Sequence, residues 1–230
     1  MRFYEELYAA ARPYPIETHP FITAVQAGAA SADEVRSFAL HMASATESFV
    51  RALHSILGVC AEPSVRHSLI SNVLEEEGAM AYVPGQGATF DMARHHPTMA
   101  RRFARAAGAT DAEIDAFAVG PPRWFRRALS DGNWLGPFAY IAVGTEANIP
   151  PTYRLLIPAL AENYGFSEYN LEFLTEHVGI DDRHGLEGAM LIESVATTDE
   201  ARRQALEGAR RGGVGWWEIL RKHAHPAVAA

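Results

Sequence analysis

FLTEHVGIDDRH, residues 173–184, is the stretch whose reading decides the rest of the chain. His177, Asp181 and His184 stand at spacings of four and seven, and an α-helix of ~3.6 residues per turn puts such a set on one stripe within about 60°. Two imidazoles and a carboxylate then point the same way. Nitrogen and hard oxygen donors without a thiolate suit a redox-active divalent metal, iron or manganese foremost. Three ligands leave a site incomplete, so partners are expected elsewhere in the chain.

Composition limits what those partners serve. With 230 residues and 48% hydrophobic content, the chain can bury one substantial core, and a single domain over residues 1–230 is expected. A formal charge of -8 argues against a nucleic-acid surface, which needs clustered Lys and Arg. The basic pairs Arg101-Arg102, Arg126-Arg127, Arg202-Arg203 and Arg210-Arg211 are separated by apolar or acidic residues and read as solvated helix faces. The only cysteine, Cys60, has no internal disulfide partner, which fits a reducing cytoplasm. Neither a signal-like start nor an apolar run of ~18 residues is present, so neither export nor a membrane partner is expected.

On both sides of the opening stretch the chain reads as helix after helix. Residues 2–12 form a short amphipathic helix stopped by Pro13 and Pro15, and another short helix follows His19-Pro20-Phe21. Ser31-Ala32-Asp33-Glu34 is a capping box opening a long core helix to about Cys60. Further helices are expected from about 63 to 80, from His96-Pro97 to near Gly108, after Thr110, around Trp124–Leu129, over 134–149 and over 152–163. Ser167 opens the helix that carries the ligand stripe, bends near Gly179 and reaches about Val195, and Thr197–Glu200 caps the last helix. Pro84-Gly85-Gln86-Gly87 reads as a loop to about Arg94. No β-pattern emerges, so the expected class is all-α with seven to nine helices.

Three other segments can supply ligands. In Asn72-Val73-Leu74-Glu75-Glu76-Glu77-Gly78 an acidic run closes a helix, where it opposes the helix dipole and so is not explained by helix stability. Either imidazole of His95-His96-Pro97 can ligate. Glu146 sits within the apolar run Phe138–Val143 and Ile149, where a carboxylate is costly to bury unless a positive charge meets it.

Asn72-x-x-x-Glu76 before a Gly, His96-Pro97, Glu146 ahead of Ile149-Pro150, and His177-x-x-x-Asp181-x-x-His184 together resemble the haem-oxygenase-like di-iron oxidases and oxygenases. These are relatives of thiaminase-II and of the pyrroloquinoline quinone synthase. The resemblance runs from about His19 to about Met190. It implies a haem-oxygenase-like helical bundle with Glu76, His96, Glu146, His177, Asp181 and His184 around two ferrous ions. Glu76, His96 and one helical His would hold one iron, the other His and Asp181 the second, with Glu146 bridging or chelating; which His serves which iron stays open. Three carboxylates against two ferrous ions leave one net positive charge, suited to a peroxide or a carboxylate-bearing substrate. Asp182, Glu176 or Glu172 is expected to hold the outer ring nitrogens of His177 and His184.

Departures from the pattern narrow the chemistry. One branch of the family, the self-sacrificing para-aminobenzoate synthases, resembles this chain closely around the metal motifs and consumes its own tyrosines, yet Ile22 and Thr145 stand in the matching places here. The N-oxygenase branch recruits an extra Glu from the long early helix, which makes Glu47 a candidate catalytic ligand, beside the reading of an exposed or hydrogen-bonded glutamate. Arg154 is a candidate for a substrate carboxylate, beside a structural salt bridge. The expected activity is that of a dioxygen-using non-haem di-iron enzyme acting on a small amine- or carboxylate-bearing metabolite by N-oxygenation, desaturation or C–C cleavage. An external electron donor and a homodimer are expected with it. A metal-independent enzyme of the same fold is the alternative. His41 and His54 read as satisfied structural histidines, His67, His223 and His225 as unconnected to the site, and Trp216-Trp217 as core or dimer packing.

Overall fold

The computed structural model describes residues 2–83 and 87–224, with side chains given outside 81–88. In chain order the elements are α1 (Phe3–Ala11), α2 (Pro20–Gln26), α3 (Ala32–Leu57), α4 (Pro63–Glu76), β1 (Ala79–Val83), β2 (Gly87–Phe90), α5 (His96–Ala106), α6 (Asp111–Ala116) and α7 (Arg123–Ser130). There follow α8 (Leu135–Ala139), a π turn (Tyr140–Thr145), a 3₁₀ turn (Glu146–Asn148), α9 (Ile149–Tyr164), α10 (Glu168–Val195) and α11 (Asp199–Arg221). The all-α class holds. Among the described residues there are eleven α-helical segments, against the seven to nine expected.

Local chemistry starts these helices where the sequence places them. Ser31 Oγ accepts from the Glu34 amide at 3.2 Å while the Ser31 amide donates to Glu34 Oε2 at 2.6 Å, a closed capping box. Thr110 and Glu113 repeat it before α6. Ser167 caps α10 through the Asn170 amide, and Thr198 caps α11 through the Ala201 amide.

Three expectations are corrected. The helix expected over 63–80 ends at Glu76, and the expected loop contains an antiparallel hairpin, Ala79 pairing with Phe90 and Val83 with Gly87. Residues 84–86 of that loop lie outside the described residues. Strands of five and four residues without an Asn-Gly turn carry little periodic signal. Gly78 makes the hairpin base possible: its φ is +72°, and a Cβ there would lie 2.5 Å from the Asp91 carbonyl oxygen. Helix α10, the helix expected to bend near Gly179, is one continuous α-helix from Glu168 to Val195.

The run 134–149, by contrast, is not one α-helix. Pro150 and Pro151 have no N–H to donate to the carbonyls of residues 146 and 147, and Arg12 instead donates to the Ala147 oxygen at 2.7 Å. Upstream the backbone widens into the π turn, with Thr145 Oγ1 donating to the Tyr140 oxygen at 3.1 Å. Helix α11 packs on this turn so closely that a Cβ on Gly212 would lie 2.4 Å from the Tyr140 oxygen. The glycines of α11 thus serve packing.

Two hydrophobic clusters result. One joins Phe21, Phe38, Phe103, Tyr153, Leu156, Phe173 and Trp216, the other Leu7, Leu53, Leu69, Phe138, Val143 and Ile192. Each such buried side chain contributes about 1.5–3 kcal/mol. Helix α3 supplies Phe38 and Met42 to the first and Leu53 and Ile56 to the second, with Ser44, Thr46 and Ser48 buried between. Helix α10 does the same with Leu174 and Ile192, and between them stand His177, Asp181 and His184. The polar centre therefore lies at the seam of two apolar cores.

Candidate metal centre

The stripe on α10 faces inward as its spacing predicts, His177 and Asp181 buried and His184 nearly so. The six predicted ligands converge as two triads. Glu76, His96 and His177 form one, and Glu146, Asp181 and His184 the other; within each, one donor atom per residue lies within 4.8 Å of the others. This arrangement pairs His177 with the first group and His184 with the second, the assignment that the resemblance left open. His96, not His95, faces the site: His96 Nδ1 is 3.0 Å from Glu76 Oε1, whereas His95 turns to Thr98 and Glu77.

Each element delivers its donor for a local reason. Helix α4 ends on Glu76, the hairpin returns the chain, and Pro97 in the first turn of α5 sets His96 opposite. The π turn followed by the 3₁₀ turn presents Glu146, only 2% exposed, where Asn72 Nδ2 donates to its Oε1 at 2.7 Å. Such π turns recur at functional sites. His177 Nδ1 donates to the Phe173 carbonyl oxygen at 2.7 Å, which leaves the Nε2 lone pair facing Glu76 at 3.9 Å. His184 Nε2 lies 3.0 Å from Glu75 Oε2, and its Nδ1 lies 3.8 Å from Asp181.

The electrostatics are those of a site short of positive charge. Burial, reinforced by the Asp181 charge, pushes the Glu146 carboxyl up to about 8, and burial lifts Asp181 to about 6. Burial with His96 beside it pushes His177 down to about 4, so its imidazole is neutral and free to ligate. For His184 burial is outweighed by Asp181 and Glu75, which hold it at about 10. Glu76 Oε2, Asp181 Oδ2 and His96 Nδ1 are buried without a hydrogen bond. Each such orphan costs about 1–3 kcal/mol, and divalent cations at the two triads would satisfy all three. The donor set fits iron, with imidazole and carboxylate and no thiolate.

Residues 36–213 match the family of iron-containing redox enzymes. The chain belongs to that family. It is 24% identical over 234 residues to a 4-aminobenzoate synthase of Chlamydia muridarum, covering 99% of this chain and 92% of that one. It is also 24% identical over 218 residues to a 4-aminobenzoate synthase of Nitrosomonas europaea, covering 88% and 82%. A TenA homolog from Pseudomonas syringae superposes with a TM-score of 0.72 at 12% identity, over 96% of this chain and 89% of that one. A domain with a heme oxygenase-like fold from Shewanella denitrificans superposes with a TM-score of 0.61 at 16% identity, over 90% and 85%. The fold is thus haem-oxygenase-like, as the motif order implied.

Within this iron-containing redox enzyme two predicted residues stand apart from the triads. Glu47 is half-exposed and turns to Arg101 and Arg51 at 3.7 and 4.0 Å, because its place on α3 faces α5. Arg154, also half-exposed, is ion-paired with Asp182. That pair removes Asp182 from the imidazoles, and Glu172 is ion-paired with Arg102. None of Asp182, Glu176 and Glu172 hydrogen-bonds His177 or His184 among the described residues; the Phe173 carbonyl and Glu75 take those places. Glu75 was visible only as part of an acidic run, and a backbone carbonyl leaves no side-chain signal.

Other single-residue expectations divide. Trp216 is core, its Nε1 donating to Thr152 Oγ1 at 2.9 Å. His54 Nδ1 is paired with the Val50 oxygen and His223 Nδ1 with Ser37, whereas His223 Nε2 is buried without a partner and His41 is buried without a hydrogen bond among the described residues. His225 lies outside the described residues. No helix among the described residues is long and apolar enough to cross a membrane.

Proposed function

We propose that this iron-containing redox enzyme holds two ferrous ions and uses dioxygen to oxidise a small amine- or carboxylate-bearing metabolite by N-oxygenation, desaturation or C–C cleavage. The observation that carries the reading is the pair of adjacent triads, Glu76–His96–His177 and Glu146–Asp181–His184, with three orphaned polar atoms between them. Bound iron would supply the electrons for dioxygen reduction, which side chains cannot.

The chain's own residues prepare that face. The Phe173 carbonyl fixes the His177 tautomer, Glu75 orients His184, and Asn72 orients Glu146. Met42, Ile149, Tyr153, Phe173 and Trp216 line a chamber of about 70 Å³ over Glu76, Glu146, His177 and Asp181 and give it an apolar wall. On the His184 side a cavity of about 230 Å³ lined by Asn72, Glu75 and Arg183 offers a polar approach. The substrate is an external molecule in this reading: Ile22, where the resemblance expects a tyrosine, is core, and Thr145 is the other matching place. The relatives named 4-aminobenzoate synthase support oxidative chemistry of this kind at a level short of a shared substrate.

Anaerobic titration with ferrous iron, followed by exposure to oxygen, tests the proposal. A stoichiometry near two, an absorbance change that requires oxygen, and loss of about one equivalent in His184→Ala are expected. Absence of tight iron binding, or an unchanged stoichiometry in that variant, overturns it.

A further inference from the structure

A cavity of about 410 Å³ adjoins the small chamber over the triads. The two share Met42, Ala45, Phe49, Thr145 and Trp216 as lining, so they adjoin across these five residues. Phe125, Tyr140, Ile219 and the segment Val119–Pro122 make the larger part mainly apolar. Small-molecule sites have this size and character, with a few polar groups setting orientation. Here those groups are His41, Lys222 and Glu218, which line only the larger part.

Their charges are unequally available. Glu218 is engaged by Arg221, whose Nε donates to its Oε2 at 2.8 Å. Lys222 makes no hydrogen bond or ion pair among the described residues, and His41, 5% exposed, makes no hydrogen bond among them either. Lys222 stands six residues beyond Trp216 on α11, about 9 Å along the axis. A cation and an imidazole thus stand at one end of an apolar space, and the carboxylates of the triads at the other. Lys222 also closes the C-terminus of α11, where free carbonyls repel an anion unless the ammonium is present.

Resting on the di-iron reading, we infer that the cavity takes an elongated monocarboxylate with its carboxylate on Lys222 and His41 and its apolar far end at Glu146 and Asp181. The bond oxidised is then remote from the carboxylate. Arg154, the sequence's candidate for this role, is tied to Asp182 and is absent from the lining of either part.

Titration of the full-length protein with decanoate and with decanol, followed by tryptophan fluorescence, reads the head-group preference without turnover. Decanoate is expected to bind at least about tenfold tighter, the scale of one charge-assisted hydrogen bond. Lys222→Met, at an exposed position that folding tolerates, is expected to abolish that preference and leave decanol binding unchanged. Equal affinity for the two probes, no binding of either, or an unchanged preference in Lys222→Met overturns the inference. With Mn²⁺ bound, the terminal methyl protons of decanoate should relax faster than those next to the carboxylate; the opposite order overturns the orientation. Probe affinity and iron stoichiometry are separate readouts, so failure of the di-iron reading shows in the iron titration alone.

Discussion

His184 Nε2 lies 3.0 Å from Glu75 Oε2, so the imidazole that closes the second triad is oriented by a residue that is not itself in either triad. Partners of this kind typically change metal affinity by about 10- to 100-fold. Glu75→Ala is expected to weaken the second iron equivalent by that factor and to spare the first, as resolved in a two-site ferrous titration. Glu75→Gln, which keeps an acceptor, should restore part of it.

Gly78 holds the base of the hairpin that returns His96 to Glu76. Gly78→Ala would force a side chain into a left-handed backbone at φ +72° and against the Asp91 oxygen. The conformational cost alone is about 1–3 kcal/mol. A fall of several degrees in Tm is expected in thermal denaturation, together with weaker binding of the first metal equivalent.

Metal binding should stabilise the fold. A ligand bound only by the folded chain at 100 times its Kd adds about 2.7 kcal/mol, or several degrees in Tm for a chain of this size. Ferrous or manganous ion added anaerobically is expected to raise Tm, and a chelator to reverse the rise; no shift at millimolar metal contradicts a two-metal site.

His41 and His223, with ring centroids 5.4 Å apart, are both pushed down to about 4, chiefly by burial, with Lys222 adding to it. Their unfolded value is about 6.5. The folded chain therefore binds fewer protons than the unfolded chain between those values, and the stability present above pH 6.5 is lost as pH falls toward 4. Tm measured across that window should decline in the wild type and decline less steeply in His41→Gln.

Glu47→Gln and Arg154→Ala are expected to leave iron stoichiometry unchanged. Their ion pairs are half-exposed and contribute no more than about 1 kcal/mol. Loss of an iron equivalent in Glu47→Gln would restore it as a ligand.

Much of this centre was legible along the chain. Helical period is a local property, so the spacing of His177, Asp181 and His184 was enough to set them on one face, and the order of Glu76, His96 and Glu146 around them carried the family resemblance. Capping chemistry is local too, which is why Ser31, Thr110 and Ser167 mark their helices correctly. The hairpin was not legible, because strands this short take their pairing from the elements that flank them.

By itself, then, the sequence determined an all-helical chain with a two-imidazole, one-carboxylate stripe and a set of acidic and histidine residues able to complete it. Only the tertiary structure decided how the six divide, with His177 beside Glu76 and His184 beside Glu146. It also decided that Glu75 rather than Asp182 orients His184, and that Lys222 rather than Arg154 faces the cavity. The physical reason is range. Backbone geometry links residues a few positions apart, whereas a carboxylate's partner a hundred residues away depends on how two apolar clusters pack and which polar groups remain at their seam.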